Sequence, residues 1–130
     1  MASNLTVDTL TKGATTLNTD ELVDVNNTRV AKAWVNFNGT GTPAIRDSFN
    51  VSSITDNGTG NYTVNFTTAL TDANYSTTAS AGRNATGTGG YLAAISDQVA
   101  QTASATACAT FNLAGTNLDA VFISCTSFSN

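Results

Sequence analysis

The chain of 130 residues contains no histidine, and it contains only two cysteines. Without histidine, the protein lacks the commonest general base and the commonest metal ligand at neutral pH. Two cysteines without a further cysteine or a histidine do not form a zinc site, and a papain-like cysteine–histidine pair is excluded. We therefore expect no metal site and no other cofactor.

Charged residues are also scarce. They make up 11% of the sequence, and the net charge is −4. Nucleic acids and anionic membrane surfaces are bound through clustered Lys and Arg, whereas the five cations here are scattered. No apolar run of about eighteen residues exists to span a membrane, and the N-terminus lacks the apolar stretch of a signal peptide. We expect no nucleic-acid partner, no membrane partner and synthesis in the cytoplasm.

Strong helix formers are nearly missing, since Glu, Lys, Gln and Met are few. Thr, Asn and Ser take their place, and these short side chains suit pleated surfaces and turns. The hydrophobic fraction of 41% supplies one core. The composition therefore predicts an all-β domain, an antiparallel β-sandwich of jelly-roll-like type with about seven to nine strands.

The clearest strand pattern is AWVNFN at residues 33–38, where Ala, Val and Phe alternate with Trp and Asn. This alternation predicts a strand with one buried face. A similar alternation at residues 62–66 follows the turn sequence at residues 56–58, so we expect a hairpin. We also expect Phe49 and Val51 on one strand face and Ile54 on the opposite one. The side chains expected in or beside the core are Trp34, Phe37, Phe49, Tyr62, Val64 and Phe66. Because Trp34 opposes the face of Val35 and Phe37, a subunit contact is the alternative for it.

Both cysteines lie in strand-like runs, at residues 105–113 and 119–128. A turn-like AGTN separates the runs, and if they form a hairpin, Cys108 and Cys125 could lie near each other across it. A disulfide is one alternative. Two buried thiols acting as small apolar groups are favoured in a protein made in the cytoplasm, and the sequence leaves the redox state open.

Two segments are candidates for contact with partners. The glycine-rich stretch GRNATGTGG at residues 82–90 matches neither a P-loop nor a dinucleotide fingerprint, so we interpret it as an exposed loop. Loops of this kind carry recognition, which makes Arg83, Asn84, Thr86 and Thr88 candidate binding residues. Residues 1–28 have too little apolar mass to fold alone and form an extended arm, which either anchors the protein or packs back on the domain of residues 29–130. The candidate anchoring residues are Leu5, Val7 and Leu10.

The segments KAWVNFNGTGT and AIRDSFNVSSITDNGTGNYTVNFTTAL resemble a module found in tail fibres and other host-contacting or surface proteins of tailed bacteriophages, especially cyanophage-type viruses. The resemblance covers roughly a third of the chain. It implies a homotrimer located in the virion, with other virion proteins and a bacterial surface glycan or protein as partners. No active site comes with it, and most Asp residues lie in turn-like contexts, so we expect no enzyme.

Three functions follow as hypotheses. The resemblance favours a tail-fibre component or receptor-binding knob that contacts the host surface. The shortness of the chain favours a capsid decoration or head-fibre protein, whose arm docks on the shell. A non-viral adhesion domain is the weaker third hypothesis.

Overall fold

The computed structural model describes residues 9–12, 15–18, 30–82 and 90–129. Among these residues ten β-strands are present and no helix, which confirms the all-β prediction. The strands are β1 (Thr9–Lys12), β2 (Thr15–Asn18), β3 (Ala33–Asn38), β4 (Ala44–Phe49), β5 (Val51–Asp56), β6 (Asn61–Phe66), β7 (Ser76–Gly82), β8 (Tyr91–Ile95), β9 (Ala105–Asn112) and β10 (Phe122–Phe128).

The chain divides into two compact units. One contains the antiparallel hairpin β1–β2, in which Leu10 is paired with Leu17. The other is Ala31–Ser129, which holds β3 to β10. Leu5 and Val7 lie outside the described residues, as does the side chain of Leu10. The division of the chain after residue 28 and the anchoring role of the arm stay predictions.

The second unit is a β-sandwich. Its two antiparallel sheets have the strand orders β4-β3-β10-β7 and β5-β6-β9-β8 and pack together around one core. The chain leaves β7, forms the hairpin β8–β9 in the other sheet and returns as β10 beside β7, which is a Greek-key path. The sandwich prediction is thus confirmed, while the jelly-roll-like variety and the trimer stay predictions.

The core is built from the inward-facing residues of β3, β6, β9 and β10. Phe37 and Tyr62 are fully buried, and their rings meet edge to face with centroids 5.2 Å apart. Phe66 and Tyr75 form a second edge-to-face pair at 5.7 Å. Such pairs add to the burial of apolar area, and the Phe37–Tyr62 pair joins strands of opposite sheets. Of the predicted core residues, Phe37, Tyr62, Val64 and Phe66 are confirmed as buried.

Asn50 is where the chain passes from one sheet to the other. It lies between β4 and β5 and has a φ of 55°, a left-handed conformation that asparagine tolerates better than most residues. Its side-chain amide donates to the carbonyl oxygens of Lys32 and Thr68, both at 3.0 Å, and its Oδ1 accepts from the backbone N–H of Thr68 at 2.8 Å. The amide therefore holds the crossing in place by replacing backbone hydrogen bonds that the two strands lose there.

Because of this crossing, the prediction that Phe49 and Val51 share one strand face and that Ile54 lies on the opposite one is wrong. The Phe49 side chain is 55% exposed, while Val51 and Ile54 both pack against the core. An irregularity in pairing between Val51 and Ser53 changes the alternation, so that Val51 and Ile54 reach the same side of β5. Trp34 is half-buried on the outer side of its sheet.

The predicted hairpin after Asp56 is confirmed, whereas the two cysteine strands do not form the hairpin that was one possibility for them. Asn57 donates its backbone N–H to Asn61 O at 2.9 Å, which closes the β5–β6 connection. In contrast, β9 and β10 belong to different sheets. A turn does follow β9, with Asn112 Oδ1 accepting from the N–H groups of Ala114 and Thr116, but residues 117–121 then carry the chain to the opposite sheet.

Candidate functional site

The candidate loop residues Arg83, Asn84, Thr86 and Thr88 lie outside the described residues. The strand before them, β7, ends at Gly82, which is paired with Phe122 of β10. The structure therefore leaves their predicted role untested. A different surface is visible among the described residues, on the outer side of the β4-β3-β10-β7 sheet.

We call this surface the aromatic face. Residues of β3, β4 and β10 that alternate with the core residues form it. It consists of Trp34, Asn36, Arg46, Asp47, Phe49, Phe122, Ser124, Thr126 and Phe128.

Trp34 and Phe49 form one end of the aromatic face. They are directly paired across β3 and β4, and Thr126 is the partner of Trp34 on its other side. Directly opposed residues have Cβ atoms about 4.5–5.5 Å apart, so the two aromatic side chains are neighbours. Phe128 is 41% exposed and lies one outward position beyond Thr126 on β10. Apolar ring surface is thus presented to solvent here.

The middle row of the aromatic face is polar. Asn36 is paired with Asp47 on one side and with Ser124 on the other. Its amide donates to Ser124 Oγ at 2.9 Å, which fixes the orientation of the amide. The Asp47 side chain is exposed, and one of its oxygens accepts from the N–H of Ser48 at 2.9 Å. A carboxylate oxygen and a hydroxyl therefore remain available to a ligand beside a fixed amide.

Arg46 forms the other end of the face with Phe122. The register of β3 and β4 shifts between Asn36 and Phe37, and Arg46 lies at this irregularity. Its guanidinium carbon is 4.5 Å from the centroid of the Phe122 ring, a cation–π arrangement. Its Nη2 donates to the carbonyl oxygen of Val121 at 2.6 Å, and its Nη1 to Asn36 Oδ1 at 3.4 Å. These contacts hold a planar, positively charged group in a defined orientation on the surface.

The arrangement suits a ligand that has apolar faces and, in addition, many hydroxyl groups. Along one strand, outward-facing residues repeat every two positions, or about 6.8 Å, so the Trp34 and Phe122 ends are roughly 13 Å apart. Exposed rings offer stacking surface, while the amide, carboxylate and guanidinium between them offer fixed acceptors and donors.

A second polar cluster lies at one end of the sandwich and is structural. The Tyr62 hydroxyl donates to Asp119 Oδ1 at 2.8 Å, and the carbonyl oxygen of Gly39 is a second acceptor 3.0 Å from it. Asp119 Oδ1 also accepts from the backbone N–H of Gly60 at 2.8 Å. Burial, followed by the hydrogen bond to Asp119, raises the pKa of Tyr62 above its usual value of 10.0. The cluster connects three loops by hydrogen bonds: the loop that follows β3, the loop that precedes β6 and the loop that precedes β10.

We expect Tyr62→Phe to change how stability depends on alkaline pH. Because the folded-state pKa values of Tyr62 and Tyr75 are raised, the unfolded chain loses protons above pH 10.0 that the folded chain keeps, and stability falls there. Each tyrosine contributes a slope of at most about 1.4 kcal/mol per pH unit. Urea unfolding across this range should therefore show a shallower fall in the variant. At neutral pH the variant should lose about 1 kcal/mol from the missing hydrogen bond. Equal slopes would show that Tyr62 titrates normally.

The sequence does not reveal the aromatic face as a whole, because a contact surface was considered for Trp34 alone. Phe49 was expected in the core, and Phe122 and Phe128 fell in a run read only as a strand. One residue did indicate this surface. Trp34 alternates with the apolar residues of the strand at residues 33–38, so it lies on the face opposite to them. A large aromatic residue on the polar side of a half-buried strand indicates a contact surface.

Among the described residues, no three His, Cys, Asp or Glu side chains come together as a metal site, and no helix has the length and apolar character to cross a membrane. Neither family models, nor curated proteins, nor solved structures yield a match to the chain.

Proposed function

We propose that this protein is a surface component of a tailed-bacteriophage virion, a tail-fibre component or receptor-binding knob that contacts the bacterial surface through the aromatic face. The observation that carries the proposal is the exposure of Phe49 at 55%, beside its cross-strand partner Trp34. Exposed aromatic clusters rimmed by polar residues mark binding surfaces in proteins that otherwise bury their rings. The resemblance of residues 32–70 to phage surface modules supplies the biological setting.

A bacterial surface glycan is the ligand that this chemistry favours. Sugar rings have apolar C–H faces that stack on aromatic rings, and their hydroxyls accept from Arg46 and donate to Asp47. Few charges surround the face, because the whole chain has only five Lys and Arg and nine Asp and Glu. A surface protein of the host is the other ligand class. The resemblance also implies that the knob is a homotrimer, which sedimentation at micromolar concentration can test.

The alternative is a capsid decoration or head-fibre protein. It is supported by the division of the chain into Ala31–Ser129 and a separate unit that contains the β1–β2 hairpin. A small unit with strands of its own can dock by adding those strands to a neighbouring sheet, where backbone hydrogen bonds supply affinity. The sandwich would then project from the shell.

Labelling of virions tests the proposal and its alternative together. Gold-labelled antibody against residues 31–129 should mark the tail tip, and the purified protein should compete with the virus for adsorption to its host. Label spread over the head, together with no competition for adsorption, would contradict the receptor-binding knob and support the capsid decoration protein. Absence of label from the particle would overturn both and leave the non-viral adhesion domain.

A further inference from the structure

Cys108 and Cys125 face each other across the core of the sandwich. Cys108 lies on β9, between Tyr62 of β6 and Ile95 of β8. Cys125 lies on β10, between Val35 of β3 and Ala79 of β7. Their exposed fractions are 0% and 2%. Both therefore sit on inner strands, one in each sheet, and at the centre of the packed interface.

Both thiols are free in this structure and belong to the same cluster of buried core residues. The interaction with Cys108, and then burial, raise the pKa of the Cys125 thiol well above its usual value of 9.0. Cysteines on the facing inner strands of two packed sheets can be joined by a disulfide, which has an S–S length of about 2.05 Å and Cα atoms about 4.4–6.8 Å apart. No other cysteine exists in the chain to compete for either partner.

We propose that Cys108 and Cys125 are an oxidation site, at which a disulfide bond joins the inner strands of the two sheets. The oxidant is a small-molecule disulfide such as oxidised glutathione. Both protein thiols lose their hydrogens, one S–S bond forms between them, and the S–S bond of the oxidant is reduced to two thiols. The inference is independent of the proposed function, because it rests on the core alone.

Burial determines when this reaction proceeds. Exchange requires a thiolate that the oxidant can reach, and neither condition is met by a buried thiol whose pKa is raised. The folded protein therefore reacts slowly, and the reaction is fast while the sandwich is open, during folding or in denaturant. Once the sandwich has closed on the bond, reductants are excluded in the same way.

The bond closes a loop that includes the β9-to-β10 crossing and so restricts the unfolded chain. For a closed loop of this size, we expect the melting temperature of the oxidised protein to exceed that of the reduced protein by roughly 10 °C.

The test is refolding of the full chain from urea with a mixture of reduced and oxidised glutathione. Alkylation and mass spectrometry should find no free thiols, and a Cys108–Cys125 peptide pair in a monomeric chain. Melting is then measured with and without reductant, a comparison that requires no variant. Cys108→Ala and Cys125→Ala serve as matched controls, whose melting should not respond to reductant. Thiols that remain alkylatable after refolding, bonds between chains, or a lower melting temperature of the oxidised form would each overturn the proposal.

Discussion

Replacing Phe37 with alanine is expected to destabilise the sandwich by roughly 3–5 kcal/mol, the usual cost of truncating a buried phenylalanine. Phe37 has no exposed surface and packs edge to face on Tyr62, so the substitution opens a cavity between the two sheets. Urea unfolding followed by the fluorescence of Trp34, the only tryptophan in the chain, measures the effect.

Phe49→Ala is the matched control for this prediction. It removes the same atoms from a ring that is 55% exposed, and we expect a loss of less than about 1 kcal/mol. Similar losses in the two variants would mean that Phe49 lies in a core after all, and that the crossing at Asn50 is misplaced.

Gly60→Ala is expected to cost roughly 3 kcal/mol or more. Gly60 has a φ of +68°, where a Cβ is unfavourable by about 1–2 kcal/mol. That Cβ would also collide with the carbonyl oxygen of Thr110 and lie 2.8 Å from the backbone nitrogen of Leu118. Both obstacles are backbone atoms, which cannot rotate away, so overpacking adds about 1–3 kcal/mol. The melting temperature and the urea midpoint should both fall.

Gly41→Ala measures the cost of a positive φ without a steric clash, and so serves as the control for Gly60→Ala. Gly41 has nearly the same φ, +66°, but a Cβ there meets nothing within 4 Å. We expect this variant to lose only about 1–2 kcal/mol. If the two alanine variants are equally stable, the close approach of the β5–β6 loop to Thr110 is not present in solution.

Much of the fold could be predicted because its signals are local. The alternation in residues 33–38 and 62–66 identified buried faces correctly, since a strand with one buried face has a period of two regardless of its partner. The turn after Asp56 uses a positive φ at Gly58, which glycine adopts at low cost, so it was also predictable from the sequence.

The errors have a common physical cause. Which sheet a strand joins depends on contacts between distant segments, and an alternating pattern carries no information on them. Phe49 was misplaced because the sheet changes one residue later, at Asn50. The turn after β9 made a hairpin of the Cys108 and Cys125 strands one possibility, yet the chain continues past that turn to the other sheet. The aromatic face depends on the same long-range pairing, so it became visible only with the strand order.

The most direct test of the aromatic face is the binding of one double variant to host cells. Trp34→Ala with Phe49→Ala removes the exposed ring surface at one end, whereas Leu92→Ala removes an apolar group of similar exposure, 43%, from the other sheet. With folding verified by unfolding curves and assembly by sedimentation, we expect the double variant to lose at least tenfold in affinity and Leu92→Ala to bind normally. Undiminished binding by the double variant would contradict the account. Loss of assembly together with binding would instead make the aromatic face a contact between subunits.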